Sequence, residues 1–177
     1  FIDLEKYEEL LFYLDKILLI EPNDIEILIR KGKACEILGK TDQAIDCFNS
    51  VLIKQPNNTQ VLCTLVIISI NLEKYQEALV YLDKILSNHH DDLEMMYFKG
   101  IVLEQLGQTA EAVNCYIKSI GILPNDITSL HSISSHMVQL TGKEYVIPIF
   151  KTLLKNNSND IIAQNGMKIL SSHIYDY

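Results

Sequence analysis

One stretch of this sequence occurs twice. LEKYEELLFYLDKIL begins at Leu4 and returns as LEKYQEALVYLDKIL at Leu72, identical at 12 of 15 positions and displaced by 68 residues. The same displacement relates Lys31-Gly32 to Lys99-Gly100, Gly39 to Gly107, Ala44 to Ala112, Cys47 to Cys115 and Pro56-Asn57 to Pro124-Asn125. Half of it, 34 residues, separates Pro22 from Pro56, Ala44 from Ala78, and Ala78 from Ala112. A chain that repeats at a fixed period is built by stacking equivalent units, each touching its neighbours.

Each unit reads as two helices. Apolar residues recur at spacings of three and four, as in Leu28, Cys35 and Leu38, then Ala44, Ile45, Phe48, Val51 and Leu52. A Gly-centred turn lies between them, Leu38-Gly39-Lys40-Thr41 or Leu106-Gly107-Gln108-Thr109. Glycine there takes the left-handed conformation that ends a helix, and Thr41 or Thr109 is expected to cap the next one. Pro-Asn-Asp and Pro-Asn-Asn join the units, with proline stopping one helix and Asp or Asn capping its successor. The pattern predicts about ten helices and no strands.

At these residues the chain resembles the tetratricopeptide repeat family. That family's second-helix pair, Ala and an aromatic four residues on, appears as Ala44/Phe48, Ala78/Leu82, Ala112/Tyr116 and Val146/Phe150. Its closing proline is Pro22, Pro56 or Pro124, replaced by His90 and Ser158. The chain departs from the family at the Trp slot, which holds Leu28, Leu62, Met96 and Leu130, and at the Tyr slot, which holds Cys35, Ser69, Leu103 and Met137. The resemblance implies an all-α fold, a right-handed α-solenoid of antiparallel helix pairs. In that register residues 1–177 form one array: a partial repeat at 1–24, full repeats at 25–58, 59–92, 93–126 and 127–160, and a C-terminal helix within 161–177. Gly32 and Gly100, each costly inside a helix, read as points of close helix approach. Pro148 reads as a late start or a kink in the fourth unit, and Gly166 as a weak point in a terminal helix that packs on one side.

Composition narrows the chemistry. Fifteen Lys and Arg against 23 Asp and Glu leave a net charge of −8, and Arg30 is the one arginine, which argues against a nucleic-acid partner. No apolar run reaches the roughly 18 residues of a membrane span. Cys35, Cys47, Cys63 and Cys115 show no C-x-x-C spacing and read as reduced, buried thiols of a reducing compartment, hence cytoplasmic. Phe1 in place of Met reads as a fragment or processed chain. His131 and His136, five apart, do not form the i, i+4 pair of a helical metal site, and His89-His90 reads as a solvated turn. The seven glycines are isolated, so there is no phosphate loop, and no nucleophile-elbow pattern surrounds Ser132, Ser134 and Ser135. The expectation is a chain without enzymatic activity, cofactor or metal.

Function is expected from surface shape. By resemblance, the first helices line a concave groove with Ile29, Arg30, Lys33 and Glu36 in the first full unit. Cys63, Thr64, Ile67 and Ile70 follow in the second, Glu94, Tyr97, Phe98, Ile101 and Glu104 in the third, and His131 and Ser135 in the fourth. Family members that clamp the C-terminal carboxylate of heat-shock chaperones use Lys, Asn and Arg at these slots. In one register the chain offers Ile29, Lys33, Thr64, Glu94 and Phe98, and only Lys33 fits, so that ligand is not expected. The remaining apolar middle with flanking glutamates reads as a site for a protein or peptide, apolar with basic flanks. Tyr97 and Phe98 are adjacent and cannot both face inward, and Phe98 is the expected anchor. Two other readings stand beside this one. The first is self-assembly through the N-terminal edge, where Leu10, Leu11, Leu14, Ile17 and Leu18 lack most of a partner helix. The second is a regulatory segment of a larger protein whose activity lies elsewhere.

Overall fold

The computed structural model describes residues 4–119 without a break, then 136, 137, 139, 140, 142, 147, 150, 151, 154, 155, 158, 159 and 161–172. Most of the expected fourth unit, Pro148 included, lies outside the described residues. Eight helices and no strand are found among the described residues: α1 (Leu4–Ile20), α2 (Ile25–Ile37), α3 (Thr41–Lys54), α4 (Thr59–Asn71), α5 (Tyr75–Asn88), α6 (Leu93–Gln105), α7 (Thr109–Ser119) and α8 (Ile161–Ser172). Helices α2, α4 and α6 begin 34 residues apart, as do α3, α5 and α7, and α8 begins two periods after α6.

Local chemistry fixes these boundaries. Asp24, Asn58 and Asp92 sit in extended backbone before α2, α4 and α6, and each side chain accepts from the amide three residues on, at 3.0–3.1 Å. One of the orphan donors of each helix start is thereby satisfied. At the other end, Gly39 N donates to Glu36 O (3.0 Å) and Lys40 N to Cys35 O (2.8 Å). This is the paired closure of a Schellman motif. Gly107 and Gln108 repeat it after α6, and Glu73 and Lys74 after α4. Gly39 and Gly107 have φ of 71° and 74°, and Glu73 occupies the same slot at φ 58°. The expected threonine caps are absent. Thr41 is already the first residue of α3, its cap position is Lys40, and no side chain accepts there. Thr109 likewise opens α7, with Ala112 N bonded to Gln108 O. The Schellman turn leaves a single residue before the next helix, so no room remains for a capping threonine.

The chain divides into two compact units, one ending at Lys74 and one beginning at Tyr75. In the first, α1 packs on α2, α2 on α3 and α3 on α4. Leu11, Leu14, Leu28, Cys35, Ala44, Phe48, Val51 and Leu62 are buried. In the second, α6 packs on α5 and α7, and α7 meets α8. Its core gathers Leu103, Ala112, Tyr116, Met137, Phe150, Ala163 and Leu170. One ion pair occurs once in each: Lys31 Nζ to Asp15 Oδ1 at 2.7 Å, and Lys99 Nζ to Asp83 Oδ1 at 2.6 Å. The Asp15 hydrogen bond raises the Lys31 pKa above the ordinary lysine value.

The helical glycines are filled by rings. A methyl built on Gly32 would stand 2.6 Å from Cε1 of Phe48, and one on Gly100 2.4 Å from Cε1 of Tyr116. Gly166 corrects its expectation. It is buried, and a methyl there would stand 2.4 Å from Cζ of Phe150, so it is a close-packing glycine like the other two.

Candidate functional site

In the first unit, the expected groove residues fall on α2 and α4. Arg30 reaches back one turn to Glu26, so the single guanidinium is engaged on its own helix. Lys33 and Glu36 are exposed and Ile29 is half-buried. On α4, Cys63, Thr64 and Ile70 are half-buried, and the Thr64 hydroxyl donates to Gln60 O at 3.0 Å. Ile67 is 48% exposed, the most open of the α4 side chains that were expected to bind. Helix α4 is apolar nearly all round, so its core face is filled and apolar groups still remain at the surface.

In the second unit, α6 has the same character. Met95, Gly100, Val102 and Leu103 are buried, whereas Phe98 and Ile101 are half-buried with exposed Glu94 and Gln105 at either end of their stripe. Tyr97 turns inward. Its ring centroid lies 5.9 Å from that of Tyr116 and 6.4 Å from that of His136. Tyr97 and Phe98 therefore divide as helical geometry requires, one ring packed among aromatics and one on the open flank.

Glu104 has a role that its sequence position did not suggest. Its Oε2 accepts the Tyr116 hydroxyl at 2.7 Å and lies 3.0 Å from His136 Nδ1. The Tyr116 and His136 rings are 5.7 Å apart, so carboxylate, phenol and imidazole form one cluster. Burial, with the Glu104 carboxylate as acceptor, pushes the Tyr116 phenol far above its ordinary pKa. Glu36 and Phe48 hold the same slots in the first unit, where the ring has no hydroxyl to offer and Glu36 stays exposed. That contrast between Tyr and Phe is the sequence signal for the cluster. His131 and Ser135 lie outside the described residues.

Among the described residues, no group of three or more His, Cys, Asp or Glu could hold a metal ion. No helix among them is long and apolar enough to cross a membrane. Cys35, Cys47 and Cys115 are buried thiols whose pKa values are raised by burial, which makes poor nucleophiles of them. At the N-terminal edge, Leu11 and Leu14 are buried where α1 packs on α2, and Leu18 is half-buried. The open apolar face of α1 is the neighbouring one, carrying Leu10, Tyr13, Ile17 and Ile20.

The chain is similar to proteins of one kind. The tetratricopeptide repeat family model matches residues 25–52 and 93–126. A TPR repeat-containing protein of Methanocaldococcus jannaschii, MJ1428, is 24% identical over 183 residues. That match takes in 93% of this chain, which spans 32% of the relative's length. Among solved structures, MamA 41-end from Desulfovibrio magneticus RS-1 has a TM-score of 0.71 at 20% identity, covering 97% of this chain and 88% of that one. YrrB, described as a TPR protein with an unusual peptide-binding site, has a TM-score of 0.68 at 18% identity, covering 93% of this chain and 84% of that one. These likenesses extend over nearly the whole chain, and the two matched units repeat the same caps and the same buried glycine; the chain belongs to the tetratricopeptide repeat family.

Proposed function

We propose that this chain is a protein-interaction module that binds an apolar peptide or helix with basic flanks on the open faces of its first helices. The observation that carries the reading is the α6 stripe, in which Phe98 and Ile101 lie half-exposed between Glu94 and Gln105. A large apolar side chain brought to full burial contributes roughly 1.5–3 kcal/mol. Glu94 favours Lys or Arg beside the partner's apolar anchor, chiefly through orientation and association rate. Glu104 is engaged by Tyr116 and His136, so the acidic contribution of this helix falls to Glu94. The α4 face, with Ile67 exposed, is a separate surface of the same kind in the other unit. The peptide-binding description of YrrB supports the reading by likeness of fold.

An array of immobilised peptides, with apolar cores and varied basic flanks, provides the ligand for the test. Phe98→Ala should weaken the captured peptide more than tenfold with the melting curve unchanged, and Glu94→Lys should slow association and flatten its salt dependence. Capture of no peptide, or unchanged binding by Phe98→Ala, would refute the assignment. A second reading, self-association, is favoured by a different observation, the open face of α1.

A further inference from the structure

Helix α1 has a near-duplicate inside the same molecule, and the two differ in what covers them. In α5, Ala78 and Ile85 are 0% and 1% exposed, whereas the equivalent Leu10 and Ile17 of α1 are each 41% exposed. In α3, the residues at these slots, Ala44 and Val51, are buried where α2 packs on α3. The face of α1 that carries Leu10, Tyr13, Ile17 and Ile20 is thus the face that this fold covers with another helix.

The occupant differs from a first helix of the repeat. Every other described second helix has Ala at the Leu10 slot, namely Ala44, Ala78 and Ala112, and all three are fully buried. Leucine there holds an incoming helix farther away than the repeat's own pairing allows. Helix α8 is unsuited as well. At the slots where α2 buries Leu28, Gly32 and Cys35, it carries exposed Gln164, Lys168 and Ser171. A polar face of this kind closes an array instead of extending it, which excludes head-to-tail stacking of copies.

We propose that the open face of α1 docks on the same face of a second copy, with the two α1 helices antiparallel. The face is self-complementary in that arrangement. With Leu10 opposite Ile17 of the second copy, Tyr13 falls beside the two-fold axis. Glu9 and Lys16 lie on one flank of α1, the Lys16 ammonium 4.2 Å above the Phe12 ring. An antiparallel pair brings like flanks together, so each Glu9 meets a Lys16. Lys6 near one end and Glu21 just past the other are matched in the same way. A single helix pair lies below the roughly 1,200 Å² of a standard interface, so the dimer is a weak one that forms with rising concentration.

Sedimentation of the chain from low to high micromolar concentration tests this. The mass should move from one copy to two. Ile17→Glu should hold it at one copy with unchanged helicity and melting; Leu10→Glu, at an equally open position, is the second variant should the first fail to fold. Glu9→Lys should weaken association, and Glu9→Lys combined with Lys16→Glu should restore it. Tyr13→Cys should cross-link two copies under mild oxidation, whereas Ile20→Cys, placed at the far end of an antiparallel pair, should not. One copy at every concentration, or a dimer that survives Ile17→Glu, overturns the proposal. Peptide capture through Phe98 is unaffected by these variants, so this failure and that of the peptide-binding reading are separable.

Discussion

Phe48, Leu82 and Tyr116 hold one slot in successive units, and the residue sixteen positions before each is Gly32, Val66 and Gly100. The volumes compensate: an aromatic ring stands with glycine, and the smaller leucine stands with valine. Where the ring contact is described, the glycine is required, because no Cβ fits beneath the ring. The two glycines differ in how tightly that ring is held. Phe48 is held by packing alone, whereas the Tyr116 hydroxyl is tied to Glu104 at 2.7 Å. Alanine in a helix gains about 1 kcal/mol over glycine, and overpacking costs about 1–3 kcal/mol. Gly100→Ala should therefore destabilise by about 1–2 kcal/mol, more than Gly32→Ala, because the tethered ring cannot tilt aside. Combining Gly32→Ala with Phe48→Leu recreates the Val66/Leu82 balance and should cost less than the two changes summed. Urea denaturation of the four variants measures both comparisons; equal losses at the two glycines would show that the hydroxyl tether does not constrain the ring.

The helix ends repeat more faithfully than the helices do. Asp24, Asn58 and Asp92 cap three helices in the same geometry, and three Schellman closures follow at the same spacing. The second closure carries Glu73 where the others carry Gly39 and Gly107, at φ 58°. A residue with a Cβ is disfavoured in that region by roughly 1 kcal/mol, offset in part by the greater freedom glycine has when unfolded. Glu73→Gly should accordingly raise stability by about 0.5–1 kcal/mol, and Gly107→Ala should lower it by a similar amount. Thermal melting checks both. A loss of stability in Glu73→Gly would mean that the glutamate side chain makes contacts worth more than the backbone relief.

At the scale of the whole molecule, what was legible in the sequence was whatever depends on neighbours within a unit. Period, helix starts, proline stops and glycine turns are local, so the boundaries at Ile25, Thr59 and Leu93 follow from the Asp or Asn before each. The surface was less legible, because exposure depends on what the facing helix supplies. Glu36 and Glu104 share a slot, yet the Tyr116 hydroxyl draws in only the second. The α1 stripe was placed one face away from where it lies, since Leu11 and Leu14 are claimed by α2. The same dependence on near neighbours governs stability. Stacked repeats hold together through contacts between adjacent elements, so damage is felt close to where it is made. Phe48 is fully buried in the first unit, and Phe48→Ala removes about 3–5 kcal/mol of packing there. Hydrogen exchange of this variant should show lost protection in α2 and α3, with α6 and α7 retaining theirs. Equal loss in all four helices would mean that the chain opens as one cooperative body, and that its two compact units do not answer separately to a local lesion.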